Sequence, residues 1–266
     1  MLAGILGQLS FYQFLILQLT KRDIEGLYRG SLLGMGWAWL VPLMMLAVYT
    51  FVFSEIFRLK WPGTESLGSL GYAMHIFIGM LVFQFVADLL NRSPSLIQQN
   101  QNYVKKVVFP LPVLPLVATL SASFSLIVMS IVMLVFAMFL LGLSWQVFWL
   151  LLILPALFLF ALGIGLFFSA LGTYFPDLKQ VNALAASLLM FLSPIFYPVA
   201  AVPESWQGFY LLNPLAQFME AIRACVVHQQ AVEPMLLVSI WSWGLASLVL
   251  GYWVFKGLKR GFADVL

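Results

Sequence analysis

Long runs without a charged side chain alternate with short polar segments along this chain of 266 residues. The first run covers residues 30–54, and its 25 residues would form a helix roughly 37 Å long. The hydrocarbon core of a bilayer is about 30 Å thick, so this run predicts a membrane span. Mixed charges precede it, and they must lie in water or among lipid headgroups. The later runs predict further spans packed around this one.

Four more charge-free runs predict the other spans. The runs at 66–87, 180–203 and 234–255 each have the length of one helix, and the run at 107–176 has the length of two. Turn-forming residues at 141–145 divide the long run. We predict an all-α polytopic membrane protein, with residues 1–266 as a single transmembrane domain of six helices. The predicted spans are residues 31–56, 67–90, 112–141, 146–172, 180–199 and 234–256.

Two other apolar segments are too short to cross a bilayer. Residues 5–19 have no positive charge before them, which is unlike a secretory signal, and they predict a helix over about 5–25 along the cytoplasmic interface. An extra, tilted span is the alternative. Residues 205–219 are interrupted by Asn213-Pro214. They predict an outer re-entrant helical hairpin over about 203–230, packed against protein before the last span.

Composition and charge support a membrane protein with a defined orientation. Hydrophobic residues make up 63% of the chain and charged residues 9%, which excludes an ordinary soluble domain. The single cysteine forms no intrachain disulfide. With the N-terminus inside, 10 of the 13 Lys and Arg residues fall on cytoplasmic segments. Both termini are therefore predicted to be cytoplasmic, and the net charge of +3 does not indicate nucleic-acid binding.

Catalytic and metal-binding motifs are absent from the sequence. It contains no G-x-x-x-x-G-K-[ST] phosphate loop and no H-E-x-x-H or Cys/His cluster, so neither ATP hydrolysis by that route nor a metal site is predicted. His75 and His228 are expected to be isolated residues at membrane boundaries. Gly163-Ile164-Gly165 lies inside a span and predicts helix packing. Asp88 and Glu55 lie near span ends and are expected to be structural.

The segment 92–107 between the second and third spans predicts a coupling loop that contacts a cytoplasmic partner. Ser93 before Pro94 is a favourable helix start, and apolar residues follow it at helical spacing. The alternative for Lys105 and Lys106 is that they only anchor the third span at the headgroups. The residues of the predicted contact stripe are Leu96, Ile97, Tyr103 and Val104.

Two sets of side chains are candidates for contact with a substrate. Glu220 and Arg223 are i,i+3 neighbours on the outer hairpin; we expect them to pair with each other, and a substrate role is the alternative. Aromatic residues form 16% of the chain, and a subset lining a channel could stack on sugar rings, although most aromatics pack or face lipid. The channel-lining candidates are Trp37, Tyr49, Phe53, Phe191, Phe196 and Tyr197.

Seven short motifs, in order over nearly the whole chain, carry a family resemblance. They are residues 23–24 (DI), 28–34 (YRGSLLG) with Trp37, 91–94 (NRSP), 104–110 (VKKVVFP) with 114–115 (LP), 193–198 (SPIFYP), 213–215 (NPL) and 220–223 (EAIR). In these motifs the chain resembles ABC-2-type polysaccharide export permeases, and most of all the membrane subunit of O-antigen (lipopolysaccharide) exporters of Gram-negative bacteria. Residues 174–178 (YFPDL) depart from that pattern and look more like capsule-type relatives.

The resemblance implies a transport subunit and not an enzyme. Two copies of the permease would form a homodimer with two copies of a cytoplasmic ABC ATPase subunit, which binds the ATP and Mg. The permease itself would bind no cofactor. It would sit among the lipids of the bacterial inner membrane and move a polyprenyl-pyrophosphate-linked polysaccharide outward.

The resemblance also implies roles for particular residues. Tyr28 and Arg29 would lie at the cytoplasmic mouth of a path built from the first and fifth spans. Arg29 could bind the lipid pyrophosphate, since a guanidinium matches phosphate geometry, or it could be a headgroup anchor. The interface helix and the coupling loop would contact the ATPase. The coupling candidates are Arg22, Asp23, Ser93, Leu96, Ile97, Tyr103, Lys105 and Lys106.

Several other functions remain as alternatives. A permease of the same superfamily could export capsule, teichoic acid or a small drug. An integral membrane enzyme acting on polyprenyl-linked sugars would need convergent acids or a histidine, and Asp88, Glu55 and His75 are scattered along the chain. A channel or proton-coupled transporter is disfavoured because no predicted span carries a carboxylate at mid-membrane.

Overall fold

The computed structural model describes residues 2–56, 61–62, 67–105, 109–142 and 144–265; for residues 2–11, 53–55, 69 and 211 it describes the backbone alone. The described residues are almost entirely helical and contain no β-strand. This agrees with an all-α membrane protein. The helices are α1 (Leu2–Tyr28), α2 (Trp37–Thr50), α3 (Gly68–Gln99), α4 (Gln101–Lys105), α5 (Val113–Leu141), α6 (Leu150–Tyr174), α7 (Leu178–Leu192), α8 (Glu204–Leu212), α9 (Pro214–Val226), α10 (Pro234–Leu258) and α11 (Phe262–Val265).

Four of the described helical segments are long and apolar enough to cross a membrane: Leu70–Gln99, Val113–Leu141, Trp145–Tyr174 and Pro234–Val265. The first and fifth predicted spans correspond to shorter apolar helices, Gly34–Thr50 and Leu178–Leu192. A π-helical turn, Phe51–Ile56, extends α2. Helix α7, which corresponds to the fifth predicted span, ends at Leu192 and not at 199, because Pro194 follows and the backbone of Ser193 is extended. Six spans therefore stay a prediction.

Helix α3 is the centre of the bundle. Its side chains are buried along nearly its whole length, and it packs against α5, α6 and α7. The sequence explains this position, because the residues from Ala73 to Val86 are apolar on nearly every side of the helix, apart from His75 and Gln84. Gly79 allows a close approach of the residues after α7: a Cβ there would lie 3.0 Å from the Cα of Ile195.

The predicted coupling loop is largely the end of α3. The helix continues to Gln99 with Pro94 inside it, so the expectation that Ser93 begins a new helix was wrong. Proline removes one backbone N–H from the helix, which leaves the carbonyl of Leu90 without its usual partner. The amide of Asn182 on α7 donates to that carbonyl at 2.8 Å, so α3 tolerates the proline. The short helix α4 follows after Asn100.

A glycine turn separates α5 from α6. Gly142 has φ +73° and ψ 158°, a conformation that only glycine adopts readily. The side-chain amide of Gln229 donates to the carbonyls of Leu141 (3.3 Å) and Gly142 (2.9 Å). A short 3-10 turn, Trp145–Trp149, then leads into α6. The turn lies where the apolar run of the sequence is interrupted.

Helices α6 and α10 pack along small residues. A Cβ at Gly163 would overlap backbone atoms of Ser247, and a Cβ at Gly251 would overlap the carbonyl oxygen of Gly163. Ser247 donates its hydroxyl to the carbonyl of Phe160 across the same interface, at 2.9 Å. Small residues allow two backbones to approach closely, and this drives helix association in lipid. Gly163 is thus a packing glycine, as the sequence predicts.

Helix α1 is longer than the predicted interface helix. It runs from Leu2 to Tyr28, where residues 5–25 were expected, and it lies against α5. Leu19 is buried against Val113 and Val117 at the start of α5. This contact brings the charged second half of α1 next to the end of α3.

Candidate functional site

Three charged residues join α1 to the end of α3. The guanidinium of Arg92 on α3 donates to Oδ2 of Asp23 on α1 at 2.6 Å and to Oδ2 of Asp88, one turn earlier on α3, at 3.3 Å. All three side chains are partly buried. Charge-assisted bonds of this kind are short and roughly twice as strong as neutral ones. We call the part of the bundle around Arg92 the coupling end.

Further coupling candidates meet at this end. Arg22, beside Asp23 on α1, donates from Nη2 to the hydroxyl of Tyr103 on α4 at 3.4 Å. The ring of Tyr103 packs on Phe109, with centroids 4.6 Å apart. Lys105 is exposed at the end of α4. Arg22, Asp23, Tyr103 and Lys105 therefore lie on one surface, whereas Lys106 lies outside the described residues.

Of the predicted apolar contact stripe, Tyr103 lies on that surface, whereas Leu96 and Ile97 do not. Ser93 and Ile97 are fully buried and Leu96 nearly so, because α3 packs these residues inside the chain. Exposed residues of the predicted loop are instead found on α4, at Gln101, Asn102 and Lys105. Sequence reasoning also missed Arg92, although its i,i+4 spacing from Asp88 was a readable signal for an ion pair on a helix.

The bridge between Asp23 and Arg92 predicts an energetic link between α1 and α3. In a double-mutant cycle of Asp23→Ala and Arg92→Ala, we expect a coupling energy of about 1 kcal/mol, because the pair is short but partly solvated. Thermal melting of the purified protein gives the four stabilities. Lys21 and Glu25, an exposed i,i+4 pair on the same helix, provide a control cycle with a smaller coupling energy. Equal coupling energies in both cycles would mean that the bridge between Asp23 and Arg92 is no stronger than an exposed pair on a single helix.

Arg223 on α9 forms the centre of a buried polar cluster at the opposite end of the bundle. It is 1% exposed, and its Nη2 donates to the carbonyls of Pro194 (2.7 Å) and His75 (3.1 Å). The expected pair with Glu220 is present at 3.4 Å, but Glu220 is 56% exposed. Burial lowers the pKa of the Arg223 guanidinium, and the negative charge of Glu220 partly offsets this by raising the same pKa. Arginine stays charged in proteins, so the cation needs all these acceptors.

Aromatic rings complete the cluster around Arg223. The guanidinium carbon lies 4.6 Å from the ring centre of Trp61, a cation–π arrangement. Trp61 in turn stacks on His75 at 4.4 Å, with the rings nearly parallel. His75 is fully buried and its ring lies 5.5 Å from that of His228. The expectation that the two histidines are isolated was wrong, because α3 and the residues after α9 bring them together.

Tyr72 on α3, Tyr210 on α8 and Asn213 between α8 and α9 contact the turn that follows α7. The hydroxyl of Tyr72 on α3 donates to the carbonyl of Phe196. The amide of Asn213 reaches Ser193 Oγ at 3.3 Å, and its oxygen caps the start of α9. Tyr197 donates to the carbonyl of Phe191 at 2.7 Å and pairs with Tyr210 at 2.8 Å. Hydrogen bonds therefore connect the turn to α3, to α8 and to the start of α9.

The family model for the ABC-2 type transporter matches residues 14–227, which is most of the chain. The chain belongs to the ABC-2 type transporter family. The match includes the charged second half of α1, which lies at the coupling end, and α9, which carries Arg223.

Curated permeases of polysaccharide export match this ABC-2 chain over almost its full length. The O-antigen export system permease protein RfbA of Klebsiella pneumoniae is 26% identical over 95% of both chains. The protein of the same name from Myxococcus xanthus is 24% identical over 98% of both. The polysialic acid transport protein KpsM of Escherichia coli is 26% identical over 90% of this chain and 91% of its own.

The remaining site candidates of this ABC-2 chain differ in their exposure. Arg29, Trp37 and Phe191 are exposed on the protomer surface. Tyr28 is half-buried at the end of α1, and its carbonyl accepts a hydrogen bond from the hydroxyl of Ser31 at 2.8 Å. Packing inside the chain occupies the other aromatic candidates, while the side chain of Phe53 lies outside the described residues. The packed candidates are Tyr49, Phe196 and Tyr197.

Proposed function

We propose that this ABC-2 permease exports a polyprenyl-pyrophosphate-linked polysaccharide of the O-antigen kind across the bacterial inner membrane. One observation carries the proposal: the O-antigen export permeases match the chain over 95% and 98% of its length, so no large segment of either protein lacks a counterpart. ABC-2 permeases are transport components and not enzymes. The sequence has no phosphate loop, which fits a division of labour with a separate ATPase.

The coupling end is the surface on which that ATPase would dock. Arg22, Lys105 and the exposed turn of α4 offer cations and hydrogen-bond donors to a partner. The ion bridge from Asp23 to Arg92 joins the same surface to α3, which is the central helix. Movement of the ATPase would therefore reach the interior of the bundle directly. In this arrangement ATP and Mg belong to the ATPase subunit.

A second copy of the chain would cover the apolar faces of α2 and α7. On α7 the exposed residues Val181, Leu184, Leu188 and Phe191 recur at helical spacing on one face. On α2 most side chains are exposed as well, among them Trp39 and Leu43. These are the first and fifth predicted spans, so a homodimer would place them around a shared path. Trp37 and Phe191 would then face that path, with Tyr28 and Arg29 at its entrance.

Reconstitution with an ABC ATPase encoded by an adjacent gene tests the proposal. The two proteins are co-purified in detergent, placed in liposomes and supplied with lipid-linked polysaccharide. We expect equal numbers of the two subunits, ATP hydrolysis stimulated by the substrate, and movement of the polymer into the lumen. Arg29→Ala should lower the affinity for the pyrophosphate, and Arg29→Lys should restore only part of it, because lysine lacks the planar guanidinium. A chain that binds no ATPase would contradict the proposal.

The identity of the polymer is the point on which the relatives differ. The polysialic acid transport protein is as similar in identity as the O-antigen permeases, and the YFPDL segment at 174–178 looks like capsule-type relatives. The same liposomes separate the two cases when they are supplied with a lipid-linked O-antigen or with a capsular polymer. Transport of the capsular polymer alone would assign the chain to capsule export.

A further inference from the structure

One buried polar side chain on α7 takes no part in the sites described above. Asn182 is 2% exposed, whereas α7 presents most of its other side chains to the surface. Its Nδ2 donates to the carbonyl oxygen of Leu90 on α3 at 2.8 Å. A buried amide is costly unless it is hydrogen-bonded, so this asparagine has a specific partner.

The acceptor is a carbonyl that α3 itself leaves open. In an α-helix the carbonyl of residue 90 accepts from the N–H of residue 94, and residue 94 is a proline, which has none. Asn182 supplies the missing donor from another helix. Pro94 and Asn182 thus act together: the proline opens a gap in the hydrogen bonds of α3, and the asparagine uses that gap to attach α7.

This attachment lies within the coupling end. Arg92, two residues after Leu90, is bound to Asp23 of α1. The backbone of Pro94 packs so closely on Gly172 of α6 that a Cβ on the glycine would overlap it. Gln98 adds a hydrogen bond to the carbonyl of Gly172 at 3.2 Å. The last turns of α3 are therefore attached to α1, α6 and α7 within a short distance.

The opposite end of α7 is attached to α3 as well. Gly79 of α3 packs on Ile195, just after α7, and Tyr72 of α3 donates to the carbonyl of Phe196. Helix α3 thus holds this segment at both ends, and the Asn182 bond is the attachment nearer to the coupling end. A displacement of α3 there would carry α7 with it.

We propose that Asn182 is the positioning residue that makes α7 follow the coupling end of α3 when the ATPase moves it. The inference rests on the proposed function, because it needs a partner ATPase. Through this bond a push on α4 and the end of α3 reaches the exposed face of α7 that carries Leu184, Leu188 and Phe191. Without the bond, α3 moves and α7 does not follow.

Hydrogen–deuterium exchange of the complete permease–ATPase complex, with and without ATP and vanadate, tests this inference. In the wild-type complex we expect nucleotide to change exchange both at residues 92–99 and in α7. In Asn182→Leu the change at 92–99 should remain and that in α7 should disappear, with polymer transport per ATP falling about tenfold. Ser130→Ala, which removes an equally short buried bond that stays within α5, should leave both responses intact.

A second variant separates this role from simple satisfaction of the Leu90 carbonyl. In Asn182→Leu/Pro94→Ala, the alanine N–H returns the helical hydrogen bond to the carbonyl of Leu90. The melting temperature, which the loss of the Asn182 bond lowers, should therefore return towards the wild-type value. The α7 response should stay absent, because the attachment to α7 is still missing. Recovery of the α7 response in this double variant, or an unchanged response in Asn182→Leu, would overturn the inference. A wild-type permease that neither binds the ATPase nor transports the polymer would instead count against the proposed function.

Discussion

Arg223→Ala should destabilise the permease by about 3 kcal/mol, because buried polar groups lose their donor. The carbonyl of Pro194 would be left without the guanidinium that binds it at 2.7 Å, and Trp61 would lose the cation over its ring. Hydrogen bonds of Tyr72, Asn213 and Tyr197 would remain to hold the turn after α7. Thermal melting in detergent, followed by the elution profile of the heated sample, measures the loss.

Two further variants show which contacts of Arg223 matter. Glu220→Gln removes the ion pair but keeps the backbone contacts, and it should cost less than about 1 kcal/mol because Glu220 is largely exposed. Arg223→Lys should fall between the two, since a lysine ammonium cannot lie flat on Trp61 and reach both carbonyls. If Glu220→Gln and Arg223→Ala were equally damaging, the ion pair would be the important contact.

Sequence reasoning worked well for the helices whose ends are marked by charges or glycine. The charge-free runs predict α5, α6 and α10 to within a few residues of their limits, and the turn at Gly142 follows from its neighbours. It failed at Pro94 and Pro194, two prolines with opposite outcomes. Pro94 lies inside α3 because Asn182 replaces the missing donor, whereas α7 ends before Pro194. A contact 88 residues away along the chain, at Asn182, leaves no local signal at Pro94.

The candidate site was predictable in part. The sequence drew attention to Arg22, Asp23 and Tyr103, which meet at the coupling end, and to Glu220 and Arg223, which do form an ion pair. It missed Arg92 as the partner of Asp23, and for Arg223 it predicted only the pair with Glu220. An i,i+3 spacing reports only neighbours on one helix, while the burial of Arg223 depends on Trp61, α3 and the turn after α7. Long-range packing decides such roles.

Gly251→Ala should also destabilise the permease strongly, by up to about 3 kcal/mol, because the added methyl group has no space. A Cβ at Gly251 would overlap the carbonyl oxygen of Gly163, which is backbone and cannot rotate away. Helices α6 and α10 would have to separate along the interface where Gly244 and Ser247 also pack. Because α10 contacts the rest of the chain mainly through α6, we expect a lower melting temperature and an aggregated elution profile.

Gly257→Ala is a matched control on the same helix. Nothing lies within 4 Å of a Cβ at Gly257, so the same substitution meets open space there. Alanine is the better helix former by about 1 kcal/mol, so this variant should melt at or slightly above the wild-type temperature. If Gly251→Ala and Gly257→Ala had the same melting temperature, α6 and α10 would not approach as closely as the structure places them. A large difference between two identical substitutions six residues apart would locate the packing contact at Gly251.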